Sequence, residues 1–217
     1  MVLRGLQSLL GRLYDVEPGY DVYDFLVTDR RDLAGLVPAN DRRAPEEELL
    51  LAETPDGAGV ALYLDDDLLR RLESANPFGA LNEANLADFC TALEGVSHFL
   101  YSTWRLRFDA PVSLLELETQ AEVDKYAATV FLLAGQQGGS YPDQVHARLF
   151  DRVVFDPRLD AREFARYQTA HRSAAQYCRR LERRFVRRGE ARIEALVREL
   201  RKFYRLGCTA KLRHALA

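Results

Sequence analysis

The segment CTALEGVSHFLYSTW, residues 90–104, limits the fold more than any other part of the chain. At 100° per residue, with Leu93 at the centre, Leu86, Phe89, Cys90, Val96, Leu100 and Trp104 fall within about 60° and form a core face. The outer positions are Thr91, Gly95 and Ser102, with Asp88 alone on the far side. A helix with so few charges needs cover on most of its sides, which only a surrounding set of elements can give. The spacing predicts this helix over 83–105, capped by Asn82 or Asn85.

Further helices follow on the same grounds. PVSLLELETQAEVDKYAATVFLLAG opens with Pro111 and a Ser113 cap and is expected to stop before Gly135. DQVHARLF is a shorter helical segment. Residues 160–188 read as one long helix with a stripe of Phe164, Tyr167, Ala174, Cys178, Leu181 and Phe185. The next places Ile193, Leu196, Val197, Leu200 and Phe203 on one face, with Gly207 as its C-cap candidate. The N-terminal MVLRGLQSLLGRLYDV has helical apolar spacing broken by Arg4 and Arg12, and reads as an amphipathic helix of the fold rather than a signal peptide. Before residue 80 the texture differs. EEELLLAE and GVALYLD flank the turn residues Pro55, Asp56 and Gly57, which predicts a β-hairpin at about 47–64. The fold class expected is mainly α: a helical bundle-like domain with a small N-terminal β-hairpin, α+β at the margin. Residues 1–80 would form a small mixed region packed on an α-helical domain of 81–217.

Two groups fit poorly in the 83–105 helix. Glu94 lies about 100° and His98 about 140° from the centre of the core face, on its shoulder, where a neighbouring helix would sit. In the following helix Glu118, Glu122, Lys125 and Thr129 share a narrow stripe between apolar columns, the pattern of an interhelical seam. Glu116, Gln120 and Asp124 form a second polar stripe, expected to be the solvated face. The short link FDAPV favours antiparallel neighbours, which brings Glu94 and His98 toward Glu118 and Glu122. His171 sits within the apolar stripe of its own helix. Carboxylates with imidazole suit Fe, Mn or Zn, so Glu94, His98, Glu118, Glu122 and His171 are the candidate metal ligands. Helical-bundle carboxylate centres use Glu-x-x-His pairs, whereas here the pair is spaced by four and occurs once. The competing reading is a buried polar network in which an arginine, or Lys125, supplies the cation. No cofactor is favoured over that reading.

Charge is unevenly spread. Residues 178–217 hold 13 Arg or Lys against 4 Asp or Glu, a net of +9, while the rest, 17 basic and 29 acidic, carries −12. Arg180, Arg184, Arg187, Arg188, Arg198, Arg201, Lys202 and Arg205 form the candidate partner-binding face. Its partner would be an acidic protein surface or another copy of the chain, with nucleic acid a lesser option. Alternatively the face docks on the acidic part of its own chain. Only Lys125, Lys202 and Lys211 are lysines, a bias that reads as GC-rich, bacterial codon usage. Three scattered cysteines outside any CxxC argue against disulfides and structural zinc and point to a reducing cytoplasm. No apolar stretch is long enough to span a bilayer, so no membrane partner is expected. No phosphate-binding glycine loop, GxSxG or HExxH is present. The leading functional expectation is a cytoplasmic, non-catalytic adaptor working through its basic C-terminal helices. The alternative is a metal-dependent helical-bundle enzyme with its site between the two central helices.

Overall fold

In the computed structural model, which describes residues 2–17, 19–33, 45–54, 57–139, 144–186 and 193–217, short polar side chains set several helix starts. Helix α1 (Val2–Tyr14) is followed by strand β1 (Leu26–Val27), then β2 (Glu47–Thr54), β3 (Gly57–Leu64) and α2 (Asp66–Ser74). Asp65 caps α2 by accepting from Asp67 N. The long helices are α3 (Leu86–Leu106), α4 (Leu114–Gln136) and α6 (Ala161–Leu181), with the short α5 (Val145–Phe150) between the last two. Ser113 accepts from Glu116 N at the start of α4, and Asp160 with Glu163 closes a capping box on α6. Helices α7 (Ile193–Tyr204) and α8 (Cys208–Leu216) complete the chain. Helix accounts for 68% of the structure and a three-stranded sheet is its small β part, which makes the fold mainly α.

Helix α4 is the axis of the bundle and packs against α1, α3, α5, α6 and α8. One contiguous apolar core joins Leu3, Leu6 and Leu10 of α1, Leu62 and Leu64 of β3, Leu93 and Phe99 of α3, Val123 and Tyr126 of α4, and Phe203 of α7. Tyr14 stacks on Tyr204 with ring centres 4.1 Å apart, and Tyr177 stacks on Phe203 at 4.2 Å, tying α1 and α6 to α7.

The hairpin lies on α3. Strand β2 pairs antiparallel with β3 from Glu47 opposite Leu64 to Thr54 opposite Gly57, and β1 adds to β3 in parallel. The two-residue alternation of a strand puts Glu47 on the same face as Leu49, opposite Leu64 and Leu62. Gly95 makes this packing possible: a Cβ there would lie 2.8 Å from Glu47 Cγ and 2.9 Å from Leu62 Cδ1. The glycine therefore lets the start of β2 rest against α3 one turn from His98.

Several expectations are corrected. Glu116, Gln120 and Asp124 are not a solvated face but are buried, because α1 and α8 cover that side of α4. Gly207 is not a C-cap: its φ of −81° is extended, α7 has already ended at Tyr204, and Gly207 precedes α8. The 160–188 helix ends at Leu181 and runs into a π-helical turn, Glu182–Val186. Phe164 lies outside the core. Gly135 lies inside α4, which closes at Gln136. Asn85 precedes α3 without capping it and instead bonds Asn82 N and the Ala75 and Ala80 carbonyls. The hairpin turn residues Pro55 and Asp56, and Gly189 beyond the π turn, lie outside the described residues.

Candidate metal centre

Helices α3 and α4 bring together the residues their periodicity singled out. Ligand atoms of Glu94, His98 and Glu118 all lie within 4.8 Å of one another. His98 is 7% and Glu118 6% exposed, so neither can rely on water. His98 Nδ1 faces Glu47 Oε1 at 3.4 Å. Its Nε2 lies 3.6 Å from Glu118 Oε2, too far for a hydrogen bond, and is buried without a partner. The surrounding carboxylates favour the doubly protonated ring, so an ion binding at Nε2 would displace the proton there while Nδ1 goes on donating to Glu47. That is the arrangement in which a second carboxylate orients a metal-binding imidazole. Glu118 Oε1 is also 3.5 Å from Arg166 Nε of α6.

On the other side of Glu94 stands Lys125. Its Nζ donates to Glu94 Oε2 at 2.8 Å and pairs with Glu122 Oε1 at 2.5 Å. Glu122 Oε2 in turn lies 3.1 Å from His171 Nδ1, and His171 Nε2 lies 3.2 Å from the Phe150 carbonyl oxygen. All five candidate ligands thus belong to one cluster, with Glu94, His98 and Glu118 on one side of it and Glu122 and His171 across Lys125. His171 is half-buried rather than sealed in the stripe of α6.

The electrostatics follow from burial and neighbours. Burial opposes charging His98, but Glu47, Glu118 and Glu94 outweigh it and raise its pKa to about 9. Burial raises Glu118 to about 7 despite His98. Burial also works against ionised Glu122, yet Lys125 and His171 bring it down to about 2. A cleft of about 280 Å³ reaches the cluster, lined by Glu94, Glu118, Glu122, Lys125, Tyr167 and His171 among others. A larger one of about 770 Å³ meets it at Glu122, Lys125 and Val153 and includes Cys90, whose thiol burial pushes up to about 12.

A second buried network occupies the opposite side of α4. Lys211 of α8, fully buried, donates to Gln120 Oε1 at 2.6 Å, Tyr101 OH at 2.9 Å and the Tyr204 carbonyl at 3.3 Å. Its Nζ also lies 4.1 Å from the centre of the Tyr101 ring. Gln120 Nε2 donates to Asp124 Oδ1 at 2.6 Å, Ser97 donates to Oδ2 at 2.6 Å, and Tyr14 OH donates to Oδ1. At the far end Tyr101 donates to Glu116, whose other oxygen accepts from Cys208 N at the start of α8. Burial lowers the Lys211 pKa to about 7 against the pull of Glu116 and Asp124. From about pH 7 to 10.5 the unfolded chain keeps a proton that the folded one has released, so this group makes stability rise with pH. The gap in urea midpoint between wild type and Lys211→Met is expected to shift in the wild type's favour as pH is raised from 7 to 10. A gap that ignores pH would mean Lys211 titrates normally.

The basic C-terminal residues divide. Arg180 donates to the His214 and Ala215 carbonyls at the end of α8. Arg201 donates to the Arg12 and Leu13 carbonyls at the end of α1, and Arg205 reaches Asp15 O. These cations sit where helix carbonyls are left unpaired. Arg184 and Lys202 are exposed, exposed Arg198 pairs with Glu194 at 3.8 Å, and Arg187 and Arg188 lie outside the described residues.

Sequence reasoning missed Glu47, Arg166 and the Lys211 network. One signal for the last was available: two of the three lysines in this arginine-dominated chain, Lys125 and Lys211, sit in polar clusters. A compact ammonium fits between close oxygens where a guanidinium fork does not. Comparison of the chain with protein-family models, curated proteins and solved structures gave no match.

Proposed function

We propose that the protein is a metal-dependent helical-bundle enzyme that binds a divalent ion, Mn, Fe or Zn, through Glu94, His98 and Glu118. The observation that carries this reading is the buried Nε2 of His98, which has no hydrogen-bond partner and lies 3.6 Å from Glu118, in a group that Glu94 completes within 4.8 Å, while Glu47 faces the other ring nitrogen. Two hard oxygen donors and one imidazole suit these ions. Three protein ligands leave coordination positions open, and the 280 Å³ cleft gives access to them. An ion there would act as a Lewis acid and activate a bound water, so hydrolysis of a small substrate is the reaction class. Around it Arg166 and Lys125 offset the charge of Glu118, Glu94 and Glu122.

Elemental analysis of protein purified without chelator tests this directly. About one equivalent of Mn, Fe or Zn is expected, with loss of the metal on chelation and on His98→Ala. Protein that carries no metal and gains none on dialysis against each ion would sink the reading. The adaptor reading now rests on exposed Arg184, Arg198 and Lys202, since Arg180, Arg201 and Arg205 are spent on helix ends of the same chain.

A further inference from the structure

Glu94 belongs to two clusters of the same composition. On one side it meets His98 and Glu118; on the other, Glu122 and, beyond it, His171. Each set holds two carboxylates and one imidazole. Each imidazole is anchored through one nitrogen to an oxygen outside its set, His98 Nδ1 by Glu47 and His171 Nε2 by the Phe150 carbonyl. In each the remaining nitrogen faces carboxylate oxygen. The two sets differ in spacing and in what lies between the carboxylates: ligand atoms of the first gather within 4.8 Å, and those of the second do not. In the first, His98 Nε2 has no partner. In the second, the Lys125 ammonium stands 2.8 Å from Glu94 Oε2 and 2.5 Å from Glu122 Oε1.

Building on the metal reading above, we infer that Lys125 is a built-in cation standing where a second metal ion would bind, and that it fixes the centre at one ion. An ammonium between two buried carboxylates satisfies the same charge that a divalent ion would, and its stem fills the space. Glu122 is thereby a partner of Lys125 rather than a ligand, and His171 orients Glu122. The consequence for chemistry is specific: the centre works as a single Lewis acid beside a fixed ammonium, not as a two-ion clamp. Lys125 and Glu122 line both the 280 Å³ and the 770 Å³ clefts, so this ammonium is within reach of a molecule entering from either.

The test is metal stoichiometry, read by calorimetric titration with Mn²⁺ and by elemental analysis after gel filtration. Wild type is expected to bind one Mn²⁺ per chain, Lys125→Met two, and the double variant Lys125→Met/His171→Ala one. Lys125→Arg, which keeps the positive charge, is expected to stay at one. Lys125→Met leaves Glu94 and Glu122 without their cation, so circular dichroism should show it gaining structure or thermal stability with excess Mn²⁺. One ion in folded Lys125→Met, two ions in wild type, or a Lys125→Met that stays unfolded in excess Mn²⁺ would each overturn the inference. No ion in wild type would instead remove the metal reading on which it rests.

Discussion

Asp124→Ala is expected to destabilise the protein by about 3–5 kcal/mol, the range for removing one partner of a buried charged network. For a chain of this size that lowers the thermal midpoint by roughly 6–20 °C. The carboxylate accepts from Tyr14, Ser97 and Gln120, and all of these groups are buried. Alanine would leave their donors unpaired and remove one of the two carboxylates, with Glu116, whose charge offsets Lys211. Burial raises the Asp124 pKa to about 6, against the donors and Lys211, so the group is ionised at neutral pH and the penalty is expected in full there. A double-mutant cycle separates the two contributions. In a Lys211→Met background the cost of Asp124→Ala should shrink by about 1 kcal/mol or more, because no buried ammonium is stranded. Strictly additive effects on urea midpoints would show that Asp124 and Lys211 stabilise the fold independently.

The second large effect concerns the proposed metal centre. Mn²⁺ or Zn²⁺ at about one hundred times its dissociation constant should stabilise the folded protein by about 2.7 kcal/mol, a rise of roughly 5–10 °C in thermal midpoint. His98→Ala and Glu118→Ala are each expected to abolish that rise, since each removes a ligand from a set of three. Glu47→Gln should keep the site but weaken metal binding about 10–100-fold, as loss of a carboxylate that orients a ligating histidine does. A thermal shift that survives His98→Ala unchanged would place the ion elsewhere in the molecule.

Much of the carboxylate–imidazole cluster was legible in the sequence because it rests on helical periodicity. Glu94 and His98 fall on the shoulder of α3, Glu118, Glu122 and Lys125 on one stripe of α4, and the short link makes those faces meet. The pairing of Lys125 with Glu122 follows from their spacing along one helix. Glu47 was not legible: a glutamate in a strand reads the same whether it faces water or a helix, and only the packing across Gly95 places it at His98. Asp124 misled for a related reason. Three polar residues on one helical stripe normally mark the exposed side, and here Lys211, Tyr101 and Tyr14, from other helices, satisfy them instead.

By itself the sequence determined the mainly helical fold, the hairpin over 47–64, the Ser113-capped start of α4, and the gathering of carboxylates and imidazole between α3 and α4. These follow from forces acting over a few residues: turn chemistry, capping, and the repeat distance of helix and strand. The tertiary structure alone decided which face of α4 was covered twice over, that the cation beside Glu94 is Lys125 while an arginine stands beside Glu118, and that three of the six described residues of the basic face close helix ends within the chain. Those outcomes join residues up to 190 positions apart, as Arg205 and Asp15 do, and no local period records which distant side chain will fill a buried polar face.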